Sequence, residues 1–333
     1  MFSAARRSLT VLLVALVLGL WSNAANAAAW AFDVPGLGAM ALFGDTPKDA
    51  VDHYVAGVIR RQAFPGHEEE LRAWGKALAA RPARSLEAVA HGRPLSGIQL
   101  NHLLDLTGDA HHLGVRKGYA DGLERAGVAT VFFPPADSRA LIDARLSSVQ
   151  HLMLTGGDDL HPKLYGAPVT YAHPDELNLV RDRFELQLVR KALSSKLPID
   201  ATCRGYQMLD VAAGGTLVQD LHEDHLTTME HAGPGFAPVR HGVSVEPGSA
   251  LAATIGIHVR AVPSMHHEAI GKVGKGFRVV GRAPDGVPEA IEADGGRVRG
   301  YQFHAEKTLR SGFSKAIYAN MFQRAAAYRR ATR

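Results

Sequence analysis

From Pro94 onward, short apolar runs alternate along the chain with amphipathic segments of helical length. This alternation is typical of βαβ units, in which successive strands enter one parallel sheet and the helices cover its faces. The chain is therefore predicted to adopt an α/β fold. The predicted strands span residues 95–100, 129–133, 149–154, 198–202, 277–280, 290–292 and 298–303, and the predicted helices span residues 114–126, 181–193, 204–213 and 314–328.

The preceding segment, residues 28–93, is rich in alanine, charged residues and helix formers, and poor in strand signals. Thr46 and Pro47 are typical of a helix start, with a threonine cap followed by proline at the first helical position. Apolar residues then recur at helical spacing over residues 51–59, and residues 68–80 fit a second helix. We predict a helical N-terminal extension, followed by a main domain over residues 94–333.

Residues 1–27 have the layout of a secretory signal peptide. Arg6 and Arg7 precede an apolar stretch over residues 9–21, and Ala25-Asn26-Ala27 has the pattern of a cleavage site. The alternative is an uncleaved membrane anchor, but the apolar stretch is shorter than the roughly 20 residues that a spanning helix needs. We expect cleavage before Ala28, a periplasmic or secreted product, and no stable membrane span after cleavage.

The charge balance argues against a nucleic-acid partner. The formal charge is +4, and without the arginines of the signal peptide 35 basic and 33 acidic residues remain. No run of lysine or arginine interleaved with aromatic residues indicates a nucleic-acid groove. The surface is expected to be that of an ordinary soluble protein.

Cys203 is the only cysteine, so no internal disulfide can form. A lone cysteine is usually a small buried side chain. Cys203, however, lies at a sharp turn between a predicted strand and a predicted helix, and small residues stand two positions away on each side, at Ala201 and Gly205. Such a turn exposes a nucleophile, and the helix N-terminus favours the thiolate. The pattern makes Cys203 a candidate nucleophile.

A cysteine nucleophile requires a base and oxyanion donors. His304 follows a predicted strand, and Glu306 could orient its ring, although a His-x-Glu pair is as often a surface hydrogen bond. Gly156 and Gly157 follow another buried strand, where their backbone could approach a ligand closely. A Gly-Gly pair by itself is more often a plain turn.

Several motifs in this order resemble the class I glutamine amidotransferase-like superfamily, in its branch of gamma-glutamyl hydrolases and gamma-glutamyl-gamma-aminobutyrate hydrolases. The resemblance extends over roughly residues 94–308. The matching stretches are PLSGI from Pro94, LTGGDDLHPKLYG from Leu154, RDRFELQLVRKAL from Arg181, CRGYQ from Cys203 with AGGTLVQDL from Ala213, SMHHEAI from Ser264, APDGVPEAIE from Ala283 and GYQFHAE from Gly300.

The resemblance implies a flavodoxin-like three-layer α/β sandwich with a central, mostly parallel sheet. It implies hydrolysis of a small-molecule gamma-glutamyl substrate through a thioester acyl-enzyme, without a cofactor. The expected site residues are a triad of Cys203, His304 and Glu306, the backbone amides of Gly157 and Arg204 as the oxyanion hole, and Gly156, Gln207, His266 and His267 along the substrate.

Two positions depart from the pattern of this branch. Ala305 stands where the branch usually has proline between the terminal histidine and the acid, and the loss of a fixed φ angle is expected to loosen how Glu306 meets the imidazole. Ala201 replaces a glycine before the nucleophile, which is a milder change. The triad residues are all present, so we interpret the departure at Ala305 as an effect on rate.

Three alternatives remain open. The first is a glutaminase subunit that supplies ammonia to a synthetase, although the chain has no Walker-type loop. The second is a binding protein with a decayed site. The third is a metal site at His222, His225 and His231, but the spacing lacks a His-Glu-x-x-His helix and any cysteine pair, so no metal is predicted. His231 and His241 are instead expected to edge the substrate cleft. The leaving group and the oligomeric state, a homodimer included, are left open.

Overall fold

The computed structural model describes residues 27–34, 37–60, 66–100, 110–134, 141–171 and 177–332, with only the backbone for 110–116. The signal-peptide prediction lies outside these residues, apart from Ala27. Within the described part of the chain, no helix is both long and apolar enough to span a membrane.

The described strands form a large central sheet and a small two-stranded one. The strands are β1 (Ala28–Val34), β2 (Gly38–Gly44), β3 (Ala83–Ser85), β4 (Leu95–Gln99), β5 (Ala129–Phe133), β6 (His151–Leu154), β7 (Ile199–Thr202), β8 (Leu217–Val218), β9 (Val239–Val245), β10 (His258–Ser264), β11 (Ala269–Ile270), β12 (Arg278–Arg282), β13 (Pro288–Ala293) and β14 (Val298–Tyr301).

The centre of the large sheet is parallel, in the order β14-β7-β6-β4-β5-β2. Antiparallel strands extend it on both sides, as β10-β9-β12-β13 beyond β14 and as β1-β3 beyond β2. Every residue of the central strands β4 to β7 is buried, which is the pattern of parallel strands covered on both faces. β8 and β11 form the small sheet.

Helices lie on both faces of the large sheet. They are α1 (Pro47–Arg60), α2 (Glu68–Ala79), α3 (Leu86–Ala90), α4 (Ala110–Arg125), α5 (Ile142–Ser147), α6 (Leu179–Ser194), α7 (Arg204–Ala212), α8 (Ala250–Ile255) and α9 (Gly312–Ala331).

Two separate apolar clusters make the fold a three-layer sandwich. Consecutive residues of β5 alternate between them: Phe132 belongs to the cluster that includes residues of α1, α2, α4, α8 and α9, whereas Val131 and Phe133 belong to the one that includes residues of α3, α5, α6 and α7. This alternation is the two-residue period of a strand that is buried on both sides. The predicted α/β class is thus confirmed, with helices on each face of a sheet whose core is parallel.

The predicted helical extension at residues 28–93 contains strands as well as helices. α1 and α2 are the two helices predicted there, but β1 and β2 pair along their whole length, from Ala28↔Gly44 to Val34↔Gly38, and β2 joins the central sheet at Met40↔Phe132. β1 is rich in alanine and has a single β-branched residue, so its own preference for strand structure is weak. Pairing at the sheet edge, which the sequence does not display, determines its conformation.

Candidate active site

Cys203 occupies the turn between β7 and α7 in a strained backbone conformation. Its φ is 52° and its ψ is −114°, a region that residues with a side chain rarely adopt. The Cys203 amide donates a 2.7 Å hydrogen bond to the carbonyl of Tyr301, and its own carbonyl accepts from the Gln207 amide at 3.0 Å as the first turn of α7. Bonds to two elements therefore hold the turn in this conformation.

Gly205 permits the turn to sit close to the sheet. A Cβ at this position would lie 2.6 Å from the carbonyl oxygen of Leu154 and 2.7 Å from the Leu154 Cβ. Both distances are too short for a side chain, so only glycine allows α7 to start against β6. The small residue predicted at this position is thus required by the close approach of Leu154, the last residue of β6.

The Arg204 side chain points away from Cys203 and ties the start of α7 to α6. Its guanidinium is almost fully buried, donates to Asp182 Oδ1 at 2.6 Å and also pairs with Glu185. The two carboxylates offset the free-energy cost of removing the guanidinium from water. Any role of Arg204 in the reaction would use its backbone amide, as the sequence predicts.

His304 and Glu306 form a buried pair beside the cysteine. His304 Nδ1 lies 2.6 Å from Glu306 Oε1, and both side chains are nearly inaccessible to water. Burial opposes the charged imidazole, but the Glu306 carboxylate and the Cys203 sulfur outweigh it and raise the pKa of His304 to about 10. Despite Ala305, which begins the short 3₁₀ turn Ala305–Thr308, the Glu306 carboxylate reaches the ring.

Gly156 borders the space between these groups. A Cβ added to it would lie 3.3 Å from His304 Cε1, 3.4 Å from the Cys203 Cβ and 3.3 Å from the Tyr119 hydroxyl oxygen. The Gly156 amide donates to that hydroxyl at 3.1 Å. The turn after β6 therefore brings its backbone against Cys203 and His304, and Gly157 follows at the exposed side.

Gln207, one helical turn beyond Cys203, is buried. Its Nε2 donates to Gln302 Oε1 at 3.4 Å, so the side chain faces the end of β14 rather than solvent. Gln207 thus contacts the segment that leads to His304. Its contact with a glutamyl group stays a prediction.

The adjacent residues His266 and His267 point in different directions. His267 lies between two carboxylates, 3.0 Å from Asp159 Oδ1 and 3.1 Å from Asp220 Oδ2. Burial opposes its charge, but these carboxylates raise the pKa of His267 to about 9, so it is a cation near neutral pH. His266 faces inward to His231 and Glu289.

Sequence reasoning did not identify Glu268 as a site residue. Burial raises the pKa of the Glu268 carboxyl well above its usual range, and Asp159 and the Cys203 sulfur reinforce this shift. The carbonyl oxygen of Met265 lies 4.0 Å from Cys203 Sγ. The SMHHEAI stretch thus borders the nucleophile through Met265 and Glu268, and its position in the motif was the available signal.

The three histidines considered for a metal in the sequence do not come together. His222 is exposed, with Glu230 at 3.7 Å, and His225 lies in a turn with φ 54°. His231 is buried instead with His241 and His266, and ligand atoms of these three and of Glu289 all lie within 4.8 Å of one another. His241 is thus inside this cluster rather than at a cleft edge.

A cavity of about 190 Å³ lies next to this cluster. His231, His266 and His267 line one side of it, and the aromatic ring of Phe236, which is exposed, contributes another. His231 borders this cavity, and its predicted place along the substrate cleft stays a prediction. His267, which pairs with Asp159 and Asp220, borders the same cavity.

A nucleophile turn at the carboxyl end of a parallel strand, with a histidine–carboxylate pair following the neighbouring strand, defines a class I glutamine amidotransferase-like protein. Residues 94–306 match the peptidase C26 family, and the chain belongs to it. This family assignment makes the protein a hydrolase. It also confirms the resemblance noted from the sequence.

Individual relatives agree with this assignment. A Lactococcus lactis protein named for its likeness to glutamine amidotransferases is 35% identical over 61% of this chain and 85% of its own. Gamma-glutamyl-gamma-aminobutyrate hydrolase PuuD of Escherichia coli (strain K12) is 30% identical over 53% of this chain and 72% of its own. A Thermoplasma acidophilum structure named after one subunit of GMP synthase shares the fold at a TM-score of 0.51 and 17% identity, covering 72% of this chain and 98% of its own.

Proposed function

We propose that the protein is a cysteine-dependent hydrolase that cleaves gamma-glutamyl amide bonds and releases glutamate and an amine or amino acid. One observation carries the proposal. His304 is held by Glu306 at 2.6 Å on one side and has the Cys203 sulfur as a neighbour on the other. This is the order of acid, base and nucleophile that covalent acyl transfer requires.

The proposed reaction has two steps. The Cys203 thiolate attacks the gamma-glutamyl carbonyl, and His304 donates a proton to the departing amine as a thioester forms. His304 then takes a proton from water, which attacks the thioester and releases glutamate. The pKa of about 10 at His304 supports the first step, because the imidazole carries a proton to donate at neutral pH.

The proposed oxyanion donors are the backbone amides of Gly157 and Arg204. Arg204 immediately follows the nucleophile and opens α7, so its amide is one of the helix N–H groups without an intrahelical partner. Gly157 belongs to the turn that brings Gly156 against Cys203 and His304. Donors at these two places would stabilise the negative charge that develops on the attacked carbonyl.

Charged groups near Cys203 and the names of the relatives support the proposed substrate class. A gamma-glutamyl group presents an ammonium and a carboxylate at its far end, and His267 and Asp159 place a cation and an anion beside the site. The name of the Escherichia coli relative, gamma-glutamyl-gamma-aminobutyrate hydrolase, is in keeping with such a substrate. Gln207 and His266 are the other residues we propose along it.

Two other functions remain as alternatives. Several relatives are named after glutamine amidotransferases, which favours a glutaminase that passes ammonia to a synthetase. A gamma-glutamyl hydrolase is distinguished from it by the release of free amines larger than ammonia. A binding protein with a decayed site is disfavoured by the close contact of His304 with Glu306 in spite of Ala305.

We also propose that the protein acts outside the cytoplasm after cleavage of residues 1–27. The support is the sequence pattern of Arg6 and Arg7, the apolar stretch, and Ala25-Asn26-Ala27.

The decisive experiment traps the acyl-enzyme on Cys203. Wild-type protein is mixed with gamma-glutamyl-gamma-aminobutyrate, quenched in acid and examined by intact mass and peptide mapping. A gamma-glutamyl adduct is expected on the peptide that carries Cys203, and Cys203→Ala should lose both adduct and turnover while keeping its far-UV spectrum. His258→Ala, which alters an exposed histidine on β10, is the matched control.

Because the chain has a single cysteine, iodoacetamide also reports on the same group. Alkylation is expected to abolish hydrolysis in step with the modification of Cys203. Turnover of a good substrate by Cys203→Ala, or hydrolysis unaffected by full alkylation, would show that the proposed chemistry is wrong.

A further inference from the structure

Three histidines and one glutamate from four separate segments meet in the interior beside β13. His231 lies in the loop before β9, His241 on β9, His266 after β10, and Glu289 on β13, and all four side chains are buried. Glu289 therefore has no access to bulk water to balance its charge. A buried carboxylate of this kind needs a cation or several donors close to it.

We propose that these four residues bind one divalent transition-metal ion of the zinc type. The three imidazole nitrogens surround a single carboxylate oxygen: Glu289 Oε1 lies 3.3 Å from His231 Nδ1, 3.5 Å from His241 Nε2 and 3.2 Å from His266 Nε2. In a tetrahedral zinc site with bonds of about 2.0–2.1 Å, neighbouring ligand atoms are about 3.3 Å apart. The three spacings to Glu289 Oε1 agree with this value, and all the ligand atoms lie within 4.8 Å of one another.

The outer ring nitrogens indicate which nitrogen of each histidine carries its hydrogen. Each of the three rings places its other nitrogen against an oxygen that can only accept, so each N–H points out of the cluster. These bonds join His231 Nε2 to Asp285 Oδ2 at 2.9 Å, His241 Nδ1 to the Gly242 carbonyl at 3.0 Å, and His266 Nδ1 to the Glu268 carbonyl at 2.8 Å.

The consequence is that three nitrogen lone pairs face one another and Glu289. His231 Nδ1 and His266 Nε2 lie 3.2 Å apart, and a neutral ring at each position leaves no hydrogen to place between them. His241 Nε2 and Glu289 Oε2 are buried without a hydrogen-bond partner among the described residues. A central cation satisfies all of these atoms together, whereas an extra proton on one ring satisfies only one or two contacts.

The donor set selects the type of ion. Three imidazoles and one carboxylate suit zinc and its neighbours in the first transition series, whereas magnesium and calcium prefer sites made of oxygen alone. Asp285 is itself held by the Thr227 hydroxyl at 2.6 Å, which orients the carboxylate behind His231. Such support behind a ligand is usual in metal sites and contributes to their affinity.

The site lies beside the segment that borders Cys203, so a bound ion would position that segment and would not take part in the reaction itself. Ser264 Oγ donates to the His231 carbonyl at 2.7 Å, and His266 lies between Met265 and Glu268, both of which are neighbours of Cys203. A bound ion would therefore fix the 264–268 segment along the nucleophile. The cavity lined by His231 and His266 provides an access route for the ion. Metal binding at this site does not depend on the substrate proposed above.

The test uses the complete mature chain without a polyhistidine tag. The protein is stripped with a chelator, refilled with Zn²⁺ or Co²⁺ alone, and dialysed. We expect one ion per chain, a tetrahedral Co²⁺ visible spectrum, and X-ray absorption showing imidazole nitrogen and oxygen at about 2.0–2.1 Å. His241→Ala should lose stoichiometric binding, Asp285→Asn should bind about 10- to 100-fold more weakly, and His258→Ala, which alters an exposed histidine outside the cluster, should bind normally.

Several results would overturn the proposal. Substoichiometric binding by the folded wild type, an octahedral Co²⁺ spectrum, or equal retention by His241→Ala would each do so. A sulfur scatterer in the X-ray absorption spectrum would place the ion at Cys203 instead and would equally contradict it. The spectra of the wild type decide the question even if the buried-site variants do not fold.

Discussion

Replacing Glu306 with glutamine tests the pair on which the proposed chemistry depends. The glutamine side chain is nearly isosteric with glutamate and can still accept the His304 Nδ1 proton, so the substitution removes charge more than geometry. A buried hydrogen bond to a charged group contributes about 1.5–3 kcal/mol. At about 1.36 kcal/mol per factor of ten, the expected loss in kcat/KM is between about tenfold and about 150-fold.

The pH dependence gives a second, independent readout. Glu306 and the cysteine sulfur raise the pKa of His304 to about 10 against burial, so the charged ring is present below that pH and is lost as the pH rises through it. Without the carboxylate, burial dominates and the pKa falls. The alkaline limb of kcat/KM should then move to lower pH.

The assay is release of gamma-aminobutyrate from gamma-glutamyl-gamma-aminobutyrate across the pH range, with circular dichroism to verify folding. Glu246→Gln, which removes an exposed carboxylate, is the matched control and should leave the profile unchanged. A Glu306→Gln enzyme with the wild-type rate and the wild-type alkaline limb would refute the assignment of Glu306, because another group would then hold His304.

Three further predictions concern stability and processing. Gly205→Ala should reduce the free energy of unfolding by about 1–3 kcal/mol in urea melts, since its Cβ would meet the Leu154 carbonyl at 2.6 Å; an unchanged midpoint would contradict the packing described. Burial raises the pKa of Asp210 to about 7 against the hydrogen bond from Gly274, so the contribution of Asp210 to the stability of the fold should fall as the pH rises from about 4 through 7. Asp210→Asn should remove this pH dependence in thermal melts, and parallel curves for wild type and variant would be evidence against it. N-terminal sequencing of protein from the native host should begin at or near Ala28, whereas an intact Met1 chain in the membrane fraction would support an anchor.

The central fold was predictable because its signals are local. The strand that ends at Thr202, the turn at Cys203 and the helix that follows have a pattern of apolar and small residues that is visible within a short segment. His304 and Glu306 are two residues apart, so their contact could also be anticipated. Their predicted roles in catalysis stay predictions until the variants are measured.

What could not be predicted depends on residues that are distant in sequence. β1 becomes a strand through its pairing with β2, which itself joins the sheet at Phe132 of β5. The ligand atoms of His231, His241, His266 and Glu289 come together only after four segments have been placed. In the sequence, His231 is grouped with His222 and His225 as a candidate metal site, because spacing along the chain does not report distance in space.

The positive φ of Cys203 implies a conflict between activity and stability at one residue. A side chain in so sparsely populated a conformation raises the free energy of the native state by on the order of 1–3 kcal/mol. Glycine at position 203 would relieve that strain and stabilise the protein, yet it would remove the only thiol in the chain. Selection for durability alone would therefore favour glycine at this position, and a cysteine there is in keeping with the nucleophilic role proposed for Cys203.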